Sequence, residues 1–214
     1  MSDQVLAADG RVIGARAYRT RARLLEATRE LLEERGALGL RVVDITRQIG
    51  SSPATFYQYF QDVEDAILAL ADEATADVSS FTHFFEQPWT ASNGMDHARR
   101  FVDAFVEYRN RNSAILRVRD LKAEEGDQRF RAVRLKGYTA LMSEFTSRID
   151  EAKAHGRMTA DLDSYAAAAA LMAMMERLVA YQNELGRRGV SADAIADTIA
   201  VLLYQTLTGR KASA

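Results

Sequence analysis

Four side chains in the segment 51–60 can hydrogen-bond to DNA, two of them through base edges and two through phosphates. Thr55 and Gln58 both donate and accept hydrogen bonds, as contacts to base edges in the major groove require. The hydroxyl groups of Tyr57 and Tyr59 are suited to phosphate oxygens. Together they predict a DNA-reading surface, provided that a short helix carries them into the groove.

The preceding residues predict the helix and the turn that such a surface needs. Val42, Ile45 and Ile49 recur at spacings of three and four residues, which predicts a short amphipathic helix. Gly50 follows at once and should end that helix, because glycine tolerates the left-handed backbone of a tight turn. The turn is therefore expected at residues 50–52.

A second short helix is predicted to begin directly after this turn. The Ser52 hydroxyl can cap its N-terminus, and Pro53 suits its first position, where no intrahelical hydrogen bond is lost. Phe56 and Phe60 lie four residues apart, so they should anchor one face of the helix to the core. The outer face is left to four residues: Ala54, Thr55, Gln58 and Tyr59. The small Ala54 allows close approach to a thymine methyl group.

Helical periodicity fills most of the remaining chain, which contains only two prolines. A long first helix should run over residues 17–35 and stop at Gly36. A long fourth helix should start after an Asp62 cap and run toward Phe81. Further helices are predicted over residues 95–111, 113–123, 127–154, 163–185 and 192–208. The predicted class is all-α, with about nine helices in total.

The chain as a whole gives DNA no electrostatic attraction, because its net charge is −2. Local asymmetry exists near the N-terminus, where five arginines occur without an acidic residue between them: Arg11, Arg16, Arg19, Arg21 and Arg23. A solvated helix face would explain these arginines equally well. Their place beside the predicted helix-turn-helix favours contact with phosphates.

An enzymatic function finds no support in the sequence. There is no cysteine, no glycine-rich phosphate loop, and no metal-ligand spacing among His83, His97 and His155. We therefore expect no catalytic residues, no cofactor and no metal. The first fifteen residues do not resemble a secretory signal, and no stretch is long and apolar enough to span a bilayer. These features predict a cytoplasmic protein without membrane contact.

Residues 20–70 closely resemble the DNA-binding part of the TetR (tetracycline-repressor) family. The matching residues are Gly36, Asp44, Ile45, Gly50, Ser52, Thr55, Phe56, Tyr57, Tyr59 and Phe60. The resemblance implies DNA contacts from seven positions: Arg41, Val42, Ser52, Ala54, Thr55, Tyr57 and Tyr59. The family usually has a phosphate-contacting lysine where this chain has Val63. We expect Arg16, Arg19 and Arg21 to compensate for it.

The resemblance also implies an effector chamber and a dimer built from the later helices. The predicted plan is a flexible arm (1–15), a three-helix DNA-binding domain (16–62), a ligand-binding and dimerisation domain reached through the fourth helix (63–209), and a flexible tail (210–214). Candidate effector contacts are mainly aromatic or methionine side chains: Phe85, Trp89, Phe105, Tyr108, Met142, Phe145, Met172, Met175, Glu176 and Asn183. Arg109 is a further polar candidate. Each of them could equally be ordinary core or surface.

Two functions remain open from the sequence. The favoured one is a sequence-specific transcriptional regulator, a repressor released from a palindromic operator by a small lipophilic or aromatic effector. Its partners would be double-stranded operator DNA, the effector and a second copy of the chain, paired through apolar stripes at 171–179 and 195–206 that could also be core. The alternative is a helical protein–protein adaptor that does not bind DNA.

Overall fold

The computed structural model describes residues 14–212 and shows an all-helical chain in that range, as the periodicity predicts. Ten α-helices and one 3-10 helix follow one another: α1 (Ala15–Arg35), α2 (Val42–Gln48), α3 (Pro53–Tyr57), α4 (Val63–Ser79), the 3-10 helix (Ser80–Phe85), α5 (Gly94–Arg111), α6 (Ser113–Glu124), α7 (Gln128–Ala154), α8 (Ser164–Ala180), α9 (Gln182–Arg187) and α10 (Ala192–Thr208). No strand occurs within these residues. Arg11, most of the predicted arm and the last two residues of the predicted tail lie outside the described residues.

Two elements differ from the helical pattern read in the sequence. The single helix predicted over 163–185 is two helices, α8 and α9, because the backbone leaves helical geometry at Tyr181, with φ −98° and ψ 7°. The fourth helix ends at Ser79, and the chain continues as a 3-10 helix that buries Phe81 and Phe85. The extra helix raises the number from about nine to ten among the described residues.

The chain divides into two compact units. The described part of the first unit comprises residues 14–75 and 113–135, so it joins the three N-terminal helices and most of α4 to α6 and the beginning of α7. Its core contains large apolar side chains that are at most 2% exposed: Leu24, Leu32, Ile45, Phe56, Phe60, Ile67 and Phe130. The predicted boundary between residues 62 and 63 separates DNA binding from effector binding and dimerisation. The compact units are defined by packing alone, so this boundary stays a prediction.

The second unit comprises residues 76–112 and 136–212 of the described chain. Its helix α5 packs against α10 and α8. Its core contains buried large side chains: Phe101, Phe105, Tyr108, Phe145, Met175, Ile199, Leu203 and Tyr204. The stripe predicted at 195–206 is therefore mainly core within this unit, although Leu202 is 39% exposed.

Between residues 14 and 212, no helix combines the length and the apolar character needed to cross a membrane. Over the same stretch, no three acidic or histidine side chains form a group that could hold a metal ion.

Candidate nucleic-acid interface

The turn between α2 and α3 forms where the sequence predicts it. Gly50 adopts a φ of 66°, in the left-handed region that favours glycine. The Ser51 amide then donates to the Thr46 carbonyl at 2.8 Å, which closes the end of α2. Arg23 adds a brace from α1, since its Nη2 donates to the Ile49 carbonyl at 2.7 Å. A local hydrogen bond within the turn and a long-range one from α1 thus fix the angle between α2 and α3.

The short helix α3 is capped and anchored as predicted. The Ser52 Oγ accepts a hydrogen bond from the Thr55 amide at 3.3 Å, and Pro53 occupies the first turn. Phe56 and Phe60 are 0% and 2% exposed, and their ring centroids lie 5.4 Å apart. Because so short a helix is unstable alone, the two rings hold it in place through the core of the first unit.

Three of the predicted DNA contacts are exposed on α3 or at the residue that directly follows it. Ala54, Tyr57 and Gln58 are all exposed, and Tyr57 keeps 56% of its surface accessible. A hydroxyl and an amide therefore stand beside a small residue on one accessible surface. This arrangement suits a helix that approaches the floor of the major groove while a neighbouring hydroxyl reaches a phosphate.

Three other predicted contacts on this segment are engaged within the protein to different degrees. Ser52 is exposed, but its hydroxyl caps the helix and lies 3.2 Å from the Thr55 hydroxyl. Thr55 itself is half-buried. Tyr59 departs from the expected outward position, because it is half-buried and packs against the core of the first unit. Tyr57 and Gln58 are thus better placed for DNA than Tyr59.

Helix α2 adds one predicted arginine and one that sequence reasoning missed. Nε of Arg41 lies 3.6 Å from the Asp44 carboxylate, and Nη1 of Arg47 lies 3.7 Å from it, with side chains 76% and 79% exposed. The spacing of three residues on either side of Asp44 was the available signal for this cluster. Val42, by contrast, is half-buried and packs against the core of the first unit.

The three arginines of α1 that were predicted to contact phosphate fall into two groups. Arg16 and Arg19 are exposed at the N-terminal end of the helix. Arg21 lies with its guanidinium 5.2 Å from the centre of the Phe60 ring and 3.5 Å from the Glu73 carboxylate, and its side chain is only 20% exposed. Arg21 therefore supports the anchor of α3, and Arg16 and Arg19 are the better candidates for phosphate contact.

The beginning of α4 offers no cation at the position where the family usually has a lysine. Val63 is half-buried and packs against the core of the first unit. Beside it, the Asp65 amide donates to Asp62 Oδ1 at 2.8 Å, which confirms the predicted cap. Lys122 donates to the Glu64 carboxylate at 2.7 Å, and this hydrogen bond raises the pKa of Lys122. The carboxylates at this corner disfavour phosphate there, which increases the need for basic residues elsewhere.

Most of the predicted effector contacts are interior residues of the second unit. Seven are buried: Phe85, Trp89, Phe105, Tyr108, Phe145, Met172 and Met175. The ring of Phe85 stacks on Trp89 at 5.0 Å and meets Phe145 at 5.6 Å. Met142 is half-buried. Asn183 is exposed on α9, in a shallow groove near the start of α10, so the fold does not bury it with the others.

Glu176 lies in a polar network that joins three helices of the second unit. Nη1 of Arg109 donates to Glu176 Oε1 at 3.0 Å and to the Tyr138 hydroxyl at 3.3 Å. The Tyr138 hydroxyl donates in turn to the same carboxylate oxygen. The side chains of Arg109 and Glu176 are 9% and 14% exposed. Nothing in the sequence around Tyr138 signals this role, since α5, α7 and α8 meet only in the folded chain.

Comparisons with known proteins agree with this geometry. A family model described as "Bacterial regulatory proteins, tetR family" matches residues 24–70, and one described as "Tetracyclin repressor-like, C-terminal domain" matches residues 80–214. GusR of Salmonella enterica has a similar structure, with a TM-score of 0.62, 22% identity, and coverage of 88% of this chain and 95% of that one. A TetR/AcrR-family transcriptional regulator from Thermobifida fusca YX-ER1 has a TM-score of 0.65 and 21% identity, over 87% and 97% of the two chains. The fatty acid degradation regulator FadR from Bacillus halodurans has a TM-score of 0.64 and 15% identity, over 95% and 100%.

These matches decide between the two functions that the sequence left open. The two family models together span the helix-turn-helix and nearly all of the later helices. The match of residues 24–70 to a family of bacterial regulatory proteins favours a DNA-binding regulator over an adaptor that does not bind DNA. The chain belongs to the TetR family of bacterial regulatory proteins and is a DNA-binding transcriptional regulator with an N-terminal helix-turn-helix.

Proposed function

We propose that this regulator is a homodimeric repressor that leaves a palindromic operator when a small lipophilic or aromatic effector binds. The observation that carries the DNA-binding part is the division of α3 into two sides. Phe56 and Phe60 are buried, whereas Ala54, Tyr57 and Gln58 are exposed on a helix held at a fixed angle. A helix that reads the major groove needs such an anchored inner side and an accessible outer side.

We assign base reading to Gln58 and Ala54, and phosphate contact to Tyr57. Arg16 and Arg19 would supply the electrostatic attraction that Val63 cannot give, because both are exposed next to the DNA-reading unit. Each phosphate that such a cation neutralises releases condensed counterions. Binding should therefore weaken as salt rises, although the net charge of the whole chain is −2.

A dimer is favoured by the surface that the second unit leaves open on α8. Ala166, Ala169, Ala170 and Ala173 are exposed along one side of that helix. Small side chains let two helices approach closely, and Leu202 on α10 adds an exposed apolar side chain. A two-fold dimer places two reading helices in successive major grooves, roughly 34–36 Å apart, and so matches a palindromic operator.

The effector would enter the aromatic interior of the second unit, where the buried rings and methionines can adapt to a flat or lipophilic molecule. Release from DNA would follow from a shift in the populations of two conformations of the dimer. An effector that binds more tightly to a dimer with the wrong spacing between reading helices lowers the affinity for the operator. By reciprocity, operator DNA should lower the affinity for the effector by the same factor.

The test is a salt series of binding to duplex DNA taken from around the encoding gene, with random duplex as the reference. The variant Arg16→Ala/Arg19→Ala should lower the slope of log affinity against log salt by about 4, because a dimer loses four phosphate contacts worth roughly 0.9 each. The matched control is Arg187→Ala/Arg188→Ala, which removes two exposed charges at the C-terminal end of α9 and should leave the slope unchanged. Equal slopes for the two variants would contradict the assignment, and no preference for any of these duplexes over random DNA would contradict an operator at this locus.

A further inference from the structure

We propose that a groove between the end of α1 and one side of α6 binds a small amphipathic anion, a molecule with one carboxylate and a short aliphatic body. The groove has a volume of about 390 Å³, within the range of cavities that hold small molecules. All residues that line it fall within 32–38 and 113–121, in the first unit. The candidate effector contacts all belong to the second unit. The groove is therefore a second ligand site, beyond the proposed function.

The groove offers an apolar surface that an aliphatic chain can cover. Leu32 and Val118 are 1% and 7% exposed and form its floor. Leu38 and Leu121 also line it, and they are 98% and 53% exposed. Covering these two leucines removes apolar surface from water, which is favourable in proportion to the area covered. This surface accounts for the aliphatic body of the ligand.

The register of α6 gives the groove a polar end and an apolar end. Ser113, Arg117 and Leu121 follow one another at intervals of four residues, so they lie on one side of the helix. The row is roughly 12 Å long, at 1.5 Å for each residue. A hydroxyl and a guanidinium thus stand one turn apart, and a leucine follows one turn later. An eight-carbon carboxylate has a comparable length, with its head at Arg117 and its tail at Leu121.

The charges in the lining favour an anion. Arg117 is exposed and forms no ion pair within the described part of the chain, so its guanidinium is available for a bidentate contact with a carboxylate. Arg35 lines the groove as well, and its only ion pair is a weak one with its exposed neighbour Glu34, at 3.5 Å. Glu33 is the single carboxylate in the lining. Two arginines and one glutamate leave a net charge of +1.

The loop that carries Leu38 is shaped by its backbone and not by the leucine itself. Gly36 and Gly39, on either side, have φ angles of 74° and 86°, in the left-handed region that favours glycine. At 98% exposure, the Leu38 side chain adds nothing to the core of the first unit. Replacing Leu38 therefore changes the wall of the groove without disturbing the fold.

Three probes share one aliphatic chain and differ in charge at pH 7: octanoate, 1-octanol and octylammonium. Binding is followed through the methyl NMR signals of Leu38 and Leu121 in protein labelled at leucine methyl groups. Spectra of Leu38→Ser and Leu121→Ser assign these signals. Leu135 is the reference, because it is 62% exposed on α7 in the same unit and does not line the groove.

Octanoate should shift the signals of Leu38 and Leu121 in a saturable way and leave those of Leu135 unchanged. It should bind roughly 3- to 5-fold more tightly than 1-octanol, the worth of an ion pair at an exposed edge. Octylammonium should bind most weakly. This order distinguishes recognition of an anion from adsorption of any aliphatic chain.

Four variants test the assigned residues. Arg117→Gln should remove the preference for octanoate over 1-octanol, and Glu33→Gln should tighten octanoate by roughly 2-fold, because the lining then loses its only carboxylate. Arg131→Gln is the matched control at an exposed arginine of α7 outside the groove, and it should change neither affinity. Leu38→Ser, read from Leu121, should weaken octanoate and 1-octanol by a similar factor, since it removes part of the apolar wall. Circular dichroism checks that each variant is folded.

Four results would overturn the proposal. They are no saturable shift of Leu38 and Leu121, an equal shift of Leu135, binding of octylammonium as tight as that of octanoate, and a full preference for octanoate in Arg117→Gln. Operator binding is measured separately, without any probe. A protein that binds its operator but gives one of these results loses this inference alone, whereas a failure to bind DNA contradicts the proposed function.

Discussion

Phe56 and Tyr57 are neighbours on α3, and we predict that their replacement by alanine affects different properties. Phe56 is 0% exposed and Tyr57 is 56% exposed. Truncating a fully buried phenylalanine costs about 3–5 kcal/mol, because the lost burial and the remaining cavity both destabilise the folded state. Truncating an exposed tyrosine away from the core changes stability by roughly 0.5 kcal/mol or less. The Tyr57 hydroxyl should instead matter for DNA.

Urea titration followed by circular dichroism measures the first effect. With a slope near 2 kcal/mol per molar urea, Phe56→Ala should lower the midpoint of the transition that includes the first unit by about 2 M, and Tyr57→Ala by about 0.3 M at most. Operator affinity, measured well below either midpoint, should fall roughly 100- to 10,000-fold for Tyr57→Ala. Each of the two subunits loses a hydrogen bond to a charged phosphate, and each bond is worth roughly 10- to 100-fold. Equal midpoint shifts for the two variants, or full operator affinity for Tyr57→Ala, would refute the assignment of inner and outer sides to α3.

Three further predictions concern the turn, one ion pair and the dimer. Gly50→Ala should destabilise the protein by roughly 1–2 kcal/mol in the same titration, because the φ of 66° at this position strains any residue with a Cβ atom. The control is Gly186→Ala, which lies inside α9 and has no positive φ, so it should be neutral or slightly stabilising. The Arg129 guanidinium holds the pKa of Asp127 at about 2, below its ordinary value of 3.8. The ionised carboxylate therefore stabilises the folded state above about pH 4, and this stabilisation is lost as the pH falls through about 2. In an acid titration series, the difference in stability between the wild type and Asp127→Asn should close over that range. Ala169→Glu places a charge on the exposed side of α8, so sedimentation should show a monomer, and an unchanged dimer would rule that surface out as the interface.

Local signals in the sequence were sufficient for the helix-turn-helix. Ser52 and Asp62 cap helices through their own side chains, and Gly50 ends α2 through its own backbone freedom, so each acts within a few residues. The spacing of Phe56 and Phe60 predicted the buried side of α3 for the same reason, because side chains four residues apart share one face of a helix.

Contacts between distant parts of the chain could not be read in the same way. Arg21 belongs to a basic run, yet its guanidinium packs on Phe60 and pairs with Glu73. Tyr59 has the chemistry of a phosphate contact, but it follows the end of α3 and turns toward the core. Both outcomes depend on which helix lies opposite, and a single sequence does not contain that information in a local pattern.

By itself, the sequence determined the all-helical class, the position of the helix-turn-helix and the family, because helical period, caps and turn residues act over short distances. Only the tertiary structure decided which arginines of α1 reach solvent, which side chains of α3 stay exposed, and that Tyr138 lies between Arg109 and Glu176. The physical reason is that burial and ion pairing depend on residues far apart in the chain, which the packing of helices brings together.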